Sequence, residues 1–187
     1  MTLQNFTLGT FSQGAAGGGA AFESIATATG NGSVTSLDFN SISSSYQHLQ
    51  LRCIFQRNGG TQLDVGLRFN SDTGSNYSMH SLSGDGSAVA AAGSANTSYI
   101  NAGIGSGTST SNIYGVAIMD ILDYASTTKN KTVRTFTGVD KNNTEGSVKL
   151  YSGVWRNTNA ITSITIYTFG DAINTNSTFA LYGIKGA

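Results

Sequence analysis

The chain has 187 residues, and only 11% of them are charged, ten Lys+Arg against ten Asp+Glu. That length buries one core without disulfide or metal staples, and one domain is expected. The balanced charge offers no basic field to hold a phosphate backbone by counterion release, so nucleic acid is not an expected partner.

The polar surface must come from 24 Gly together with Ser, Thr and Asn, a mixture that favours strands and turns over helix faces laced with ion pairs. Proline is absent, so Gly and Asn do the turning. Cys53 is the only cysteine, which rules out an intrachain disulfide and a cysteine-based zinc site. Its period-two neighbours Leu49, Leu51 and Phe55 mark it as a buried, inert thiol.

Residues 1–21 read as an extended arm, in which Leu3, Phe6, Leu8 and Phe11 precede a Gly/Ala stretch that holds no fixed conformation alone. Such an arm is expected to become ordered when pinned, by a partner in a larger particle ahead of the domain's own surface, with Phe6, Leu8 and Phe11 as apolar pegs on that partner. Met1 to Phe11 contains no Lys or Arg and no apolar run of signal-peptide length. Nowhere do about 18 consecutive apolar residues occur, so neither secretion nor membrane insertion is expected.

From Phe22 onward, residues 22–187 show short period-two or continuously apolar segments separated by Gly, Asn, Asp and Ser clusters. The pattern predicts strands near 22–29, 33–39, 46–57, 63–69, 77–83, 97–103, 112–123, 131–140, 147–156, 161–168 and 177–185. In the third, Leu49, Leu51, Cys53 and Phe55 alternate with His48, Gln50, Arg52 and Gln56, as in a strand with one wet face. Turns are expected at Gly30-Asn31-Gly32, Asn58-Gly59-Gly60, Ser71-Asp72-Thr73-Gly74 and 142–146. The Gly/Ala/Ser-rich stretch from Ser83 to Thr110 reads as a long crossing loop with one weak strand. In YGVAIMDIL (114–122) both faces are apolar, and nine residues with β-branched side chains and Gly115 favour, over a helix, a central strand covered by protein on each side, from this chain or a neighbouring subunit. Short strands at this spacing predict an antiparallel β-sandwich of jelly-roll type.

The residues of familiar active sites do not assemble in this sequence. No serine has Gly at both positions two residues away, as a nucleophile elbow requires. Gly103-Ile104-Gly105-Ser106-Gly107 lacks a third dinucleotide-spaced Gly, a P-loop Lys and a following helix, and reads as a loop. His48 and His80 are the two histidines, too few for a three-histidine zinc site, and both read as strand histidines. The run from Asn70 and Asp72 to Asn76 imitates the start of a calcium loop, with Asp64 as an extra ligand. The twelfth position is Ser81 where a bidentate Glu belongs, which favours a tight turn. Asp120 and Asp123 are the one close carboxylate pair in an apolar setting, yet a spacing of three sets them on opposite strand faces, against glycosidase work. Asp123 reads as the strand end that caps the turn at 124–128. No catalytic residue, metal or cofactor is therefore expected. The aromatics Tyr114, Tyr124, Tyr151, Trp155, Tyr167 and Tyr182 are either core or contacts, and Tyr151 and Trp155 are the candidates for stacking on a glycan or anchoring a subunit.

Four segments carry a resemblance: SYQHLQLR (45–52), LRFNSDTGSNY (67–77), MDILDYASTTKNKTVRTFTG (119–138) and STFALYGIKG (177–186). Together they resemble small virion proteins of tailed phages, including phages of cyanobacteria and other aquatic bacteria. The resemblance implies a β-sandwich that trimerises or otherwise clusters on the particle, made in the host cytoplasm and residing on the virion surface. Its partners would be its own copies and, through the arm, the major capsid protein or another virion protein. The leading expectation is a capsid decoration (cement) or short-fibre protein. The alternatives are a receptor-binding tail module that holds host surface glycans and, well behind, a glycan-degrading enzyme.

Overall fold

The computed structural model describes residues 21–60, 62–107, 111–142 and 145–186. Apart from Ala21, the expected arm and its pegs Phe6, Leu8 and Phe11 lie outside the described residues. Those residues form twelve strands and no helix. In chain order the first six are β1 (Phe22–Thr29), β2 (Ser36–Phe39), β3 (His48–Arg57), β4 (Gln62–Phe69), β5 (Tyr77–Gly84) and β6 (Val89–Thr97). They are followed by β7 (Ile100–Gly107), β8 (Gly115–Leu122), β9 (Lys131–Asp140), β10 (Gly146–Trp155), β11 (Ile164–Tyr167) and β12 (Thr178–Ile184).

Hydrogen bonding orders them as an antiparallel run of eight, β1-β12-β3-β8-β9-β10-β5-β6, and an antiparallel run of four, β2-β11-β4-β7. β8 begins at Gly115, opposite Phe55, so the last two residues of β3 overhang it. Their backbone groups need other partners. Gln56 and Arg57 align in parallel with Ser106 and Gly107 of β7, which joins the two runs, while Gln56 N donates to Ser177 Oγ (3.1 Å) and its carbonyl accepts from Asn174 N (2.9 Å). The sheet is therefore mixed, where the spacing predicts an antiparallel one. Arg57, buried at this corner, donates to the Asp64 carbonyl (2.5 Å) and pairs with the Asp171 carboxylate (2.6 Å).

The apolar residues of alternate positions meet in one core. Leu49, Leu51, Cys53 and Phe55 of β3 join Ala117, Met119 and Ile121 of β8, Phe179 and Leu181 of β12, and Val65, Leu67 and Phe69 of β4. β7 crosses the inner side of β8, β9 and β10. Ile104 N donates to Thr137 Oγ1 of β9 (2.9 Å), and that hydroxyl donates to the Val116 carbonyl of β8 (2.8 Å). The crossing is tight. A Cβ on Gly105 would stand 2.6 Å from Phe55 Cε2, and one on Gly153 of β10 would stand 2.5 Å from Ile100 Cγ2.

This closeness corrects the reading of Ser83–Thr110. The stretch is not a crossing loop with one weak strand but two strands, β6 and β7, and the Gly-rich run at 103–107 is buried strand. Its small residues answer to the space under Phe55, not to chain flexibility. β5 and β6 form a hairpin whose turn is held by Asp85 Oδ1, which accepts from Ser87 N (2.9 Å) and Ala88 N (2.7 Å). Those backbone donors hold the Asp85 carboxyl down at about 2. β2 starts at Ser36, later than the pattern predicts, because Asn31 Oδ1 draws Ser33 N and Val34 N into the preceding turn. The expected glycine turns at Gly32 and at Gly59 and Gly60 are present with positive φ.

Overpacking is the expected response where β10 and β7 touch. Gly153→Val should cost about 1–3 kcal/mol, read as a lowered urea midpoint, whereas valine at solvent-facing Ser152 should cost under about 0.5 kcal/mol.

Candidate interaction surface

Because side chains alternate along a strand, filling the core from one face of the eight-strand run fixes what stands on the other. Across it, the register aligns Ile54 of β3 with Val116 of β8, Gly138 of β9 and Val148 of β10. One pleat along, Arg52 aligns with Ile118, Phe136, Leu150 and, on β5, Leu82. These apolar side chains are exposed, Phe136 at 60% and Val148 at 54%. Gly138, without a side chain, leaves a hollow beside Phe136. The resulting groove, about 540 Å³, is lined chiefly by Ile54, Val116, Ile118, Phe136, Gly138 and Val148. A second hollow of about 850 Å³ shares Val116, Gly138 and Val148 and continues to the Asp85–Ser87 turn.

A polar belt that runs across β3, β8 and β9 borders the groove. The Arg52 guanidinium lies 5.2 Å from the centre of the Phe22 ring and 5.8 Å from that of Tyr182, two rings stacked at 4.8 Å. Arg52 Nε donates to Gln50 Oε1 (2.9 Å), Gln50 Nε2 to Asp120 Oδ1 (2.8 Å), and Arg134 pairs with Asp120 Oδ2 (3.1 Å). An exposed pair of this kind is worth about 0–1 kcal/mol, so it fixes side-chain positions more than it stabilises the fold.

The expectation that 114–122 is covered on both faces is not met within the single chain. Ala117, Met119 and Ile121 are buried, whereas Val116, Ile118 and Leu122 stand on the open face. Tyr151 and Trp155 are corrected too. They are 3% and 1% exposed, and neither offers a ring face to a glycan or a subunit. Trp155 stacks near Phe69 and Tyr77 and donates Nε1–H to Asp72 Oδ2 (2.7 Å), and Tyr151 donates to Asp64 Oδ1 (3.1 Å). Tyr124 is buried as well, while Tyr114, Tyr167 and Tyr182 are partly buried. Tyr167 lies under the Arg68 guanidinium (4.3 Å) and edge-on to Tyr99 and Phe169.

The titratable residues are dispersed. Asp120 is tied to Arg134, and Asp123, at the strand end with positive φ, is tied to Lys129 (2.6 Å). His48 Nδ1 accepts from Asp123 N (2.9 Å), and His80 lies against Gly93 of β6. Asn70 Oδ1 accepts from Thr162 N and Ser163 N. The Asp72 carboxylate accepts from Trp155, Gly74 N and Asn76, and Asp64 is held by Lys149 and Tyr151. The oxygens proposed for a calcium loop thus serve protein donors. Among the described residues no three His, Cys, Asp or Glu gather as metal ligands. No family model matches the chain, and no curated protein matches it.

The sequence pattern does not single out Phe136, Val148 or Leu150. In β10 the inner positions belong to Lys149 and Tyr151, which bind Asp64, and in β9 to Thr135 and Thr137. The signal available was phase: Phe136 falls out of step with Val133, and Val148 and Leu150 with Trp155.

Two outcomes check this geometry. Burial raises the Cys53 thiol well above its ordinary value, so it should react with a disulfide reagent only as fast as the protein unfolds. Burial alone would raise the Asp72 carboxyl, but the hydrogen bonds from Trp155, Asn76 and Gly74 outweigh it and hold it below its ordinary 3.8. Its contribution is then complete above that ordinary value and is lost as pH falls through the lowered one. Asp72→Asn should destabilise at pH 7 by about 1–3 kcal/mol, and its deficit against wild type in urea melts should shrink as pH drops below 4.

Proposed function

We propose that the chain is a structural protein of a tailed-phage virion, a homo-oligomeric capsid decoration or short-fibre protein on the particle surface. The observation that carries this reading is the wide apolar face, with Arg52 as the one charge in its two rows, that the single chain leaves open. Soluble monomers rarely expose a contiguous apolar patch larger than a few hundred Å², and larger ones mark interaction sites. The four sequence segments that resemble phage virion proteins supply the setting. The dispersal of the described titratable residues into separate hydrogen-bonded pairs favours binding over catalysis.

In this reading the strands form a β-sandwich of jelly-roll type, which the crossing of β7 over β8, β9 and β10 supports, and residues 1–21 are the arm that anchors it to the capsid protein or another virion protein. Balanced, sparse charge suits a surface on which many copies stand close together. Low charge alone would invite aggregation, so the apolar face needs a specific cover.

Mass spectrometry of density-purified particles tests the assignment. The chain should be present in many copies per particle, and removal of residues 1–21 should abolish incorporation while leaving the free domain folded. A few copies per particle would point to the receptor-binding alternative. Absence from particles, with the chain confined to the host lysate, would overturn the reading.

A further inference from the structure

We infer that the open face of the eight-strand run is covered by a second copy of this chain, the two faces meeting about a twofold axis with each Phe136 seated in the groove of the other. The inference rests on the proposed function only in that the protein acts as a homo-oligomer, and not on its place in a virion.

Area is the first argument. The apolar side chains of the two rows, from Ile54, Val116 and Val148 to Ile118, Phe136, Leu150 and Leu82, are each between two-fifths and three-fifths exposed. Together they leave about 600 Å² of apolar side chain uncovered, at the upper end of what monomers tolerate and about three quarters of the ~800 Å² per partner of a standard interface. A face this wide suits a second sheet at the ~10 Å spacing of packed sheets better than it suits a single extended segment.

Shape is the second. Phe136 is the most exposed side chain in the middle of the face, and the hollow over Gly138 is two residues further along the same strand, on the same side. A knob beside a matching hollow is the arrangement an isologous contact requires, because residue i of one copy meets residue j of the other and the reverse holds as well. A central aromatic in a desolvated pocket is also the usual anchor of such a contact.

Charge is the third. The two apolar rows carry a single ionised group, Arg52, which already lies over Phe22 and Tyr182 at the border. Asp120 and Arg134 neutralise one another in the next row. Two such faces can meet without burying an unpaired charge at their centre, and charge depletion at the core with a polar rim is how interfaces are built. A sugar would need several converging polar groups, where the groove offers little beyond Arg52 and Thr178 at its border, and an anionic polymer or lipid surface would need a basic patch. The same sparse charge makes an equal face the fitting occupant.

The purified full chain, free of particles, decides the matter by sedimentation velocity. The expected mass is two chains or a multiple of two. Phe136→Asp, and independently Ile118→Lys, should raise the dissociation constant about thirtyfold or more while the far-ultraviolet circular dichroism of the folded domain is kept. The chain lacking residues 1–20 should still pair. A single-chain mass up to the solubility limit, an odd-numbered assembly, or pairing indifferent to both substitutions overturns the inference. Loss of pairing on removal of residues 1–20 would overturn it as well, by assigning the cover to that segment. Particle incorporation is a separate readout, so pairing in solution with no chain in virions would sink the proposed function and leave the twofold contact standing.

Discussion

The passage of β7 across the inner side of β8, β9 and β10 constrains the rest of the molecule. Ile104 N reaches Thr137 Oγ1, and Thr137 in turn reaches the Val116 carbonyl, so one hydroxyl ties three strands in two runs. Because successive side chains on a strand point to opposite faces, an inward Thr137 obliges Phe136 and Gly138 to point outward. The same holds on β10, where Lys149 and Tyr151 turn inward to Asp64 and Val148 and Leu150 are left on the outside. Polar contacts in the interior thereby create the apolar exterior.

Most interior polar groups are answered, Thr135 Oγ1 and Arg57 Nε being exceptions. Tyr77 OH donates to the Asp72 carbonyl and accepts from Phe69 N, and burial pushes its phenol up to about 12. Trp155 closes over this corner with its indole N–H on Asp72. Lys131, fully buried, donates to the Lys129 and Thr158 carbonyls, and desolvation lowers its ammonium below the ordinary value. Leaving any of these groups unpaired would cost on the order of 1–3 kcal/mol, a sizeable part of a domain's net stability.

Function follows from what these constraints leave over. In the proposed reading, the apolar groove beside the Asp120–Arg134 pair is the surface through which the chain binds and stays bound. The strands beneath the groove are held on their other side by the core and the β7 crossing, so the groove is carried by the best-supported part of the sheet. Rigid support of this kind limits the ordering cost that binding must meet.

Alternation of apolar and polar residues in the sequence determined the all-β class and most strand positions, since a period of two has few other folded uses. Leu49, Leu51, Cys53 and Phe55 were legible as core because their polar neighbours marked the wet face, and Asn and Gly with positive φ marked the turns. The sequence also made it plain that 114–122 is apolar on both sides, without saying what lies against the second. Tertiary structure alone decided that β7 is a buried strand and not a loop, because smallness can mean either freedom or close contact, and only the position of Phe55 above Gly105 distinguishes them. It also decided that Tyr151 and Trp155 go in while Phe136, Val148 and Leu150 stay out. That choice is set by long-range partners, Asp64, Asp72 and Ile104, of which the local pattern carries only the phase.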